Sequence, residues 1–548
     1  VKKIAARVSA GCLAALLGGA RPAGAVDVLT LRYDNTRLGV NARESVLTPA
    51  NVNSLLFGKL FSQEVDGAVY AQPLLLSGVS VAGRGIHDVV FVATEHDSVY
   101  AFDADDASGD NASPLWHVSF LISESPGVTV SSVSSQDVSC ADLSPEIGIT
   151  GTPVIDPSTG TLYVVAKTKE VISSGTTYVQ RLHALDVSTG AEKFSGPVIL
   201  QASVPGLGQG SSEGQVAFDP LKANNRPALL LVNGVVYLAF ASHCDVGPYH
   251  GWIFGYDATT LERRAVVCTT PNAGLGGVWM GGDGPSTDSS GHIFLATGNG
   301  GYDLHLGGND IGESVLKFNA GDLSLADSFA PHNQEQLSSV DADLGSGGVI
   351  LLPDQPTWPR PHLMVAEGKE GVLYVIDRDD MGGYDPNGDH CLQSVPISSL
   401  PAFHTPAFYN DTLYTGFSFD RIRALPLAGG VLSPNPSSYT AMGFPFPGPS
   451  PVVSANGSAS GILWVLGFGD AATLYAFDAS DLSVELYDSA QAPGGRDQPG
   501  AAVKFAQPAV ANGKVYVGTQ TNVTVFGLFG RAGAQPLPTV PPAELSGR

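Results

Sequence analysis

A short corner motif recurs along the chain, and its spacing restricts the fold more than any other feature of the sequence. Five copies are clear, each a strand end of apolar-x-apolar type closed by aspartate: Val99-Tyr100-Ala101-Phe102-Asp103, Leu182-His183-Ala184-Leu185-Asp186, Ile253-Phe254-Gly255-Tyr256-Asp257, Leu373-Tyr374-Val375-Ile376-Asp377 and Leu474-Tyr475-Ala476-Phe477-Asp478. Degenerate copies stand at 315–319, 422–426 and 523–527. The closing positions 103, 186, 257, 319, 377, 426, 478 and 527 are separated by 83, 71, 62, 58, 49, 52 and 49 residues. Eight units at roughly the 40–50-residue period of a propeller blade, with longer insertions in the first half, predict stacked copies of one supersecondary unit.

Each copy has an upstream strand opened by x-Pro, as in Gln72-Pro73, Thr152-Pro153, Arg226-Pro227, Thr405-Pro406, Ser450-Pro451 and Gln507-Pro508. Proline has no ladder donor and therefore belongs at a strand's first residue. A middle strand follows, as in Thr161-Leu162-Tyr163-Val164-Val165 and Lys514-Val515-Tyr516-Val517-Gly518, entered through a Gly-containing turn. A length of 548 residues would ordinarily suggest several domains. Here Gly (66) and Pro (38) run throughout and no amphipathic helical stretch interrupts the pattern, so one large repetitive unit over 26–530 is the better account. The fold class is all-β: an eight-bladed β-propeller of four-stranded antiparallel blades. The last repeat supplies only three strands, and an orphan strand at 57–62 precedes the first, so the N-terminal strand should close the ring. The turn residues Asp34-Asn35-Thr36-Arg37 read as local turn chemistry ahead of that closure.

At the N-terminus Lys2, Lys3 and Arg7 precede an apolar run over 8–20, and Ala23-Gly24-Ala25 follows, the pattern of a secretory signal peptide over 1–25. That run is too short to cross a bilayer, so no membrane span is expected. Secretion or a periplasmic location follows. Four of the 28 basic residues fall in 1–25, leaving 24 against 52 acids, which disfavours nucleic acid as a partner. The tail 531–548, with four prolines and little apolar content, reads as disordered. Cys140, Cys244, Cys268 and Cys391 remain beyond the leader, an even number in a compartment that permits disulfides. Cys244 with Cys268 is the preferred pair, because they flank one outer hairpin, and Cys140 with Cys391 follows by elimination. No C-x-x-C-H is present, so the chain has no c-type haem site of its own.

Blades three to five resemble the quinoprotein propellers, the pyrroloquinoline quinone (PQQ)-dependent alcohol dehydrogenases and their non-enzymatic relatives. The stretch 369–378, Lys-Glu-Gly-Val-Leu-Tyr-Val-Ile-Asp-Arg, looks like that family's K-N-G-F-x-Y-V-x-D-R, which implies that Lys369 contacts the quinone. Ala296-Thr297-Gly298-Asn299-Gly300 resembles T-G-N-P, implying calcium ligation by Asn299, and Trp279 stands 20 residues earlier, where the quinone stacks on tryptophan. Around 242–257 the chain is similar to S-G-x-E…R-G ahead of A-x-D, which implies Asp245 as a calcium ligand and His250 as a cofactor contact. Gly308-Asn309-Asp310 lies in the loop of the family's G-D-N turn, implying Asp310 as the catalytic base, with Glu313 as its competitor. These residue types suit the chemistry: oxygen ligands for a hard cation, a flat indole for stacking, and a carboxylate to take an alcohol proton.

The chain departs from the family at the quinone cap, where adjacent cysteines followed by arginine are replaced by Cys140-Ala141-Asp142 leading to Glu146. Each residue also has a structural reading. Trp279 can fill a blade interface, Asn299 can cap a Gly-rich turn, Lys369 can pair with Glu370 in solvent, and His243, His250 and Asp245 can be satisfied polar groups. Two function classes follow. One is a PQQ- and calcium-dependent oxidoreductase acting on an alcohol or sugar and passing electrons to a separate acceptor. The other is a non-enzymatic scaffold that holds a protein or glycan partner with its channel mouth or rim loops such as 121–145.

Overall fold

The structure, a computed structural model, describes residues 24–123 and 125–530. Gly24 and Ala25 apart, the expected leader lies outside the described residues, as does the tail 531–548. Eight sheets of essentially antiparallel strands follow one another along the chain, with a separate two-stranded sheet, Ser203–Pro205 with Gln215–Ala217, in the connector after the second. Their first strands, taken as blades one to eight, are Leu74–Val81, Val154–Asp156, Leu230–Val232, Ser286–Thr287, Val349–Leu351, Ala407–Tyr409, Val452–Asn456 and Ala509–Ala511. The eighth sheet has the order Phe57–Glu64, Asn522–Leu528, Lys514–Gly518, Ala509–Ala511. The orphan strand thus closes the ring on the last repeat as expected, pairing Phe57 with Leu528 and Glu64 with Asn522.

The recurring aspartate ends its strand by a local mechanism. Asp103 Oδ1 accepts from the backbone N–H groups of Asp105 and Asp106, and Asp257 Oδ1 from those of Thr259 and Thr260, each at 2.8–2.9 Å. Asp377 and Asp478 do the same two residues on. Such Asx turns satisfy the N–H groups just past the strand and reverse the chain. A tyrosine on the middle strand then ties the corner to the neighbouring blade. Tyr163 donates to Ala258 O, Tyr414 to Ala479 O and Tyr516 to Ala104 O, at 2.7–3.1 Å, in each case the residue after a corner aspartate.

The strand count departs from four where insertions reach the sheet. In blade two the hairpin Thr161–Ile172 and Gly175–Asp186 is twelve residues on each side, outruns its inner strand and takes Thr129–Ser134 alongside. Blade seven gains the parallel pair Val40–Asn41 with Val453 and Ser454.

Residues 26–41 lie in the channel and bond to the inner edge of every blade in turn. Val28 pairs with Leu75, Leu29 O accepts from Ile155 N, Asn35 Nδ2 donates to Leu231 O, and Asn35 O accepts from Thr287 N. Thr36 O then accepts from Leu351 N, Leu38 O from Phe408 N and Gly39 O from Val453 N, while Asn41 Nδ2 donates to Val510 O. The Asp34 turn forms, with Thr36 N donating to Asp34 Oδ1 at 2.8 Å. Its setting was not foreseen: it is the far side of a girdle that satisfies inner strand edges otherwise left open.

Two guanidinium groups, wholly buried, pin the girdle. Arg32 donates to Arg37 O (2.9 Å), Gln507 Oε1 (3.0 Å), Pro451 O (3.3 Å) and Pro406 O (2.5 Å). Arg37 donates to Thr30 Oγ1, Leu31 O, Pro285 O and Leu229 O. Gly39, at φ +73°, has no room for a side chain because a Cβ there would stand 2.3 Å from Arg32 Nη2.

The disulfide differs from the expected pairing. Cys140 and Cys244 are bonded, with Cα atoms 5.7 Å apart, and Cys268 and Cys391 are free thiols. Cys268 sits in register opposite Trp252 and is buried against the second blade, so the hairpin does return. Cys244, however, lies eight residues before Trp252, past the hairpin's end, in a loop that meets the connector carrying Cys140.

Candidate functional site

In four-stranded antiparallel blades, the turns between second and third strands and the connectors between blades emerge at one end of the ring. Every residue singled out from the sequence lies in one of these two classes. Asp245 and His250 are in the blade-three turn 241–251, Trp279 in the connector 269–285, Asn299 and Asp310 in the blade-four turn 297–314, and Lys369 in the blade-five turn 368–371.

Lys369 is the hub of a cluster at this mouth. Its ammonium lies 2.5 Å from Asp341 Oδ1 and 2.6 Å from Asp343 Oδ1, and 5.6 Å from the ring centre of Phe403. Asn299 Nδ2 donates to the same Asp341 oxygen at 2.8 Å. Half-buried Trp279 packs where blade four's turn meets Asp343: a Cβ on Gly298 would stand 2.6 Å from Asp343 Oδ2 and 2.9 Å from Trp279 Cδ1. Tyr249 presents its edge to Trp279 at a ring-centre separation of 6.4 Å and donates to Asp245 Oδ1. Asp245 itself is exposed.

Glu313, the competitor for the carboxylate role, is fully buried and accepts from Leu344 N at 3.1 Å, which ties it to the connector bearing Asp341 and Asp343. Burial, then the charge of Asp343, pushes Glu313 well above the usual carboxylate range. Burial also raises Asp343, against the pull of Lys369. At Lys369, burial lowers the ammonium, but Asp343 and Asp341 outweigh it and the net displacement is upward. The mouth therefore holds a fixed ammonium among crowded carboxyl groups, those of Asp343 and Glu313 buried.

Asp310 and His250 stand in a different environment. Asp310 Oδ1 accepts from Asn272 N at 2.9 Å and its own N–H is held by Asp303. His250 has both ring nitrogens on backbone oxygens, Thr270 O at 2.9 Å and Gln209 O at 2.8 Å. Asp341 and Asp343, which complete the Lys369 cluster, were missed by sequence reasoning. They sit in a connector with no repeat signal, and only the fold brings them beside Lys369.

The backbone around the cluster is held in unusual conformations. Cys244, Asp245, Met280, Glu313 and Asp341 all have φ between 40° and 57°, a region non-glycine residues seldom occupy. Such conformations persist where the surroundings enforce them, and the chain uses them in turns elsewhere as well, as at Asn233 and Asn512.

Two buried oxygens here, Asn299 Oδ1 and Glu313 Oε1, have no hydrogen-bond partner among the described residues. Both are hard donors of the type that calcium takes. No group of three His, Cys, Asp or Glu side chains among the described residues is placed to hold a metal ion, so an ion here would depend on the Asn299 amide oxygen. The donor chemistry of these two oxygens is that of a hard-cation site, and Trp279 is the aromatic side chain beside them.

Comparison with protein-family models gave no match, and comparison with curated protein sequences gave none either. Solved structures do match. A quinohemoprotein alcohol dehydrogenase from Comamonas testosteroni superposes with a TM-score of 0.59 at 16% identity, over 95% of this chain and 83% of its own. A second quinohemoprotein alcohol dehydrogenase, from Pseudomonas putida, gives 0.57 at 16% identity over 94% and 83%. A europium-containing methanol dehydrogenase gives 0.58 at 13% identity over 92% and 98%. At these identities the likeness concerns architecture: the chain has the eight-bladed propeller fold of quinoprotein dehydrogenases.

Proposed function

We propose that the mouth cluster is a quinone site and that the protein is a PQQ- and calcium-dependent oxidoreductase acting on an alcohol or sugar. The observation that carries this reading is convergence. Trp279, Asn299 and Lys369, spread over 90 positions on a connector and two blade turns, meet beside two buried oxygens that have no hydrogen-bond partner among the described residues.

In this reading Trp279 would supply the floor, Lys369 would contact the quinone, and Asn299, Glu313 and Asp245 would be the oxygens available to calcium. PQQ and calcium, when bound there, would supply a hydride acceptor and a Lewis acid. Asp341 is the carboxylate placed to take the substrate's hydroxyl proton, being largely exposed and already aligned by Lys369 and Asn299. Asp310, the base implied by the resemblance, remains a candidate only if its loop turns away from Asn272. Electrons would leave through a separate acceptor. The Cys140–Cys244 bond supports an oxidising compartment, and no helix among the described residues is long and apolar enough to cross a membrane.

The test is calorimetric titration of the full chain with PQQ in calcium, followed by dye-linked alcohol oxidation. Saturable binding that is weakened at least tenfold in Asn299→Ala and Trp279→Ala is expected. Absence of binding, or binding indifferent to both substitutions, overturns the enzyme and leaves the scaffold.

A further inference from the structure

A second built site lies away from the mouth cluster, between blades one and two. It is a cleft of about 400 Å³ under the connector that follows blade one's outer strand Trp116–Ser119. That volume is in the range of small-molecule sites. Its core is His183, 5% exposed, whose ring stacks on Phe120 at 3.8 Å between centres. Nδ1 of His183 faces Glu192 Oε1. A carboxylate there fixes the tautomer with the proton on Nδ1, leaving Nε2 as a lone-pair acceptor. Nε2 has no protein partner among the described residues, and His183 lines the cleft. Burial lowers the imidazole's affinity for a proton, which keeps it in the neutral, accepting form.

The remaining lining selects the ligand. Arg181 is paired with Glu170 at 2.5 Å and donates to Thr168 Oγ1 at 3.3 Å, so its charge is already matched. With Glu192 also present, carboxylates outnumber guanidinium groups, which disfavours an anion. One imidazole is too few to select a transition metal. What the cleft offers is alternating donors and acceptors, namely the His183 lone pair, the Glu170 and Glu192 oxygens, Arg181 N–H groups and the Thr168 hydroxyl. Apolar Val118 and Val130 stand beside them. Vicinal hydroxyls, each able to donate and accept, on a ring with an apolar face are complementary to that set.

We propose that this cleft binds a neutral saccharide unit, with His183 Nε2 accepting from a sugar hydroxyl. The inference is independent of the quinone reading, because none of its residues belongs to the Lys369 cluster. The experiment is saturation-transfer NMR, followed by calorimetry, on the full chain with glucose, galactose, mannose, maltose and cellobiose. His183→Phe keeps the stack on Phe120 and removes the acceptor, while Thr168→Val removes one hydroxyl at nearly constant volume. At least one sugar of the panel is expected to bind, with affinity falling about tenfold in His183→Phe, the loss of one well-made hydrogen bond. Thr168→Val should lose several-fold and Lys369→Ala nothing. Near-UV circular dichroism checks that each variant is folded, and if His183→Phe is not, Thr168→Val decides. No saturable binding by any of the five sugars overturns the proposal. So does binding indifferent to the cleft variants, binding abolished by Lys369→Ala, or displacement by inorganic phosphate.

Discussion

Replacing Arg32 by methionine tests the girdle directly. The guanidinium is fully buried and makes four side-chain hydrogen bonds, to Arg37 O, Gln507 Oε1, Pro451 O and Pro406 O, so it joins the girdle to blades six, seven and eight. Burial lowers its pKa to about 10, with Asp283 opposing, and it remains charged at neutral pH. Methionine conserves much of the volume but leaves these acceptors unpaired and takes a cation from beside Asp283 and Glu367. Removing one partner from a buried charged network costs about 3–5 kcal/mol, and that is the loss expected at pH 7. The pH dependence is the sharper part. Asp283 is raised from 3.8 to about 7 by burial, with Arg32 and Arg37 holding it down. A carboxylate raised on folding contributes stability below its unfolded pKa, and that contribution is lost as pH rises towards the folded value. Without Arg32 the folded value moves higher, so the variant should keep losing stability between pH 7 and 8, where the wild-type contribution from Asp283 levels off. Guanidinium denaturation midpoints at pH 6, 7 and 8 measure both effects, and Asp283→Asn in the Arg32→Met background should recover part of the loss. A variant within about 1 kcal/mol of wild type at all three values would refute the assignment of Arg32 as a pin.

Glu367 is fully buried, accepts from Thr415 Oγ1 at 2.8 Å, and is raised by burial from 4.5 to about 8. Glu367→Gln should therefore flatten the fall in stability between about pH 4.5 and 8, measured by the same denaturation series. Non-reducing peptide mapping after alkylation in denaturant should label Cys268 and Cys391 and recover Cys140 joined to Cys244. Because the bridge closes a loop of 104 residues, its loss in Cys140→Ser should cost about 4–5 kcal/mol on the chain-entropy model. Free Cys140 in the map would contradict the pairing.

What could be read in the sequence was what local chemistry decides. The corner aspartates were legible because each closes an Asx turn on residues two or three further on, and the ring closure was legible because a three-stranded repeat needs a fourth strand. Two of the three tyrosine staples, Tyr163 and Tyr516, stood in the quoted strands, yet the acceptors of all three lie in the next blade, 65 to 412 residues away, and no local pattern marks them. The cysteine pairing failed for the same reason: hairpin return governs Cys268, whereas Cys244 belongs to a loop whose neighbour is fixed by how blades two and three pack. At the mouth, Trp279, Asn299 and Lys369 carried recognisable contexts. Asp341 and Asp343 did not, although they decide the electrostatics around Lys369.

The girdle shows why a propeller of this type leaves little freedom to its N-terminal residues. Eight inner strands present eight open edges to one axis, and buried backbone donors and acceptors need partners. A single segment that circles the axis once can satisfy all of them, and Arg32 and Arg37 then bond the carbonyls at the connector ends that the segment itself misses. What remains beside them is a cavity of about 30 Å³ lined by Gln72, Thr152, Asp283 and Gln507, enough for a water molecule and too small for a substrate. Trp279 and the groups around it lie on the side of the connectors, at the opposite end of the ring from the turns that carry the corner aspartates. The length and variety of those connectors, which disturbed the blade period in the first half of the sequence, therefore fall where they shape access to the site without disturbing the ring.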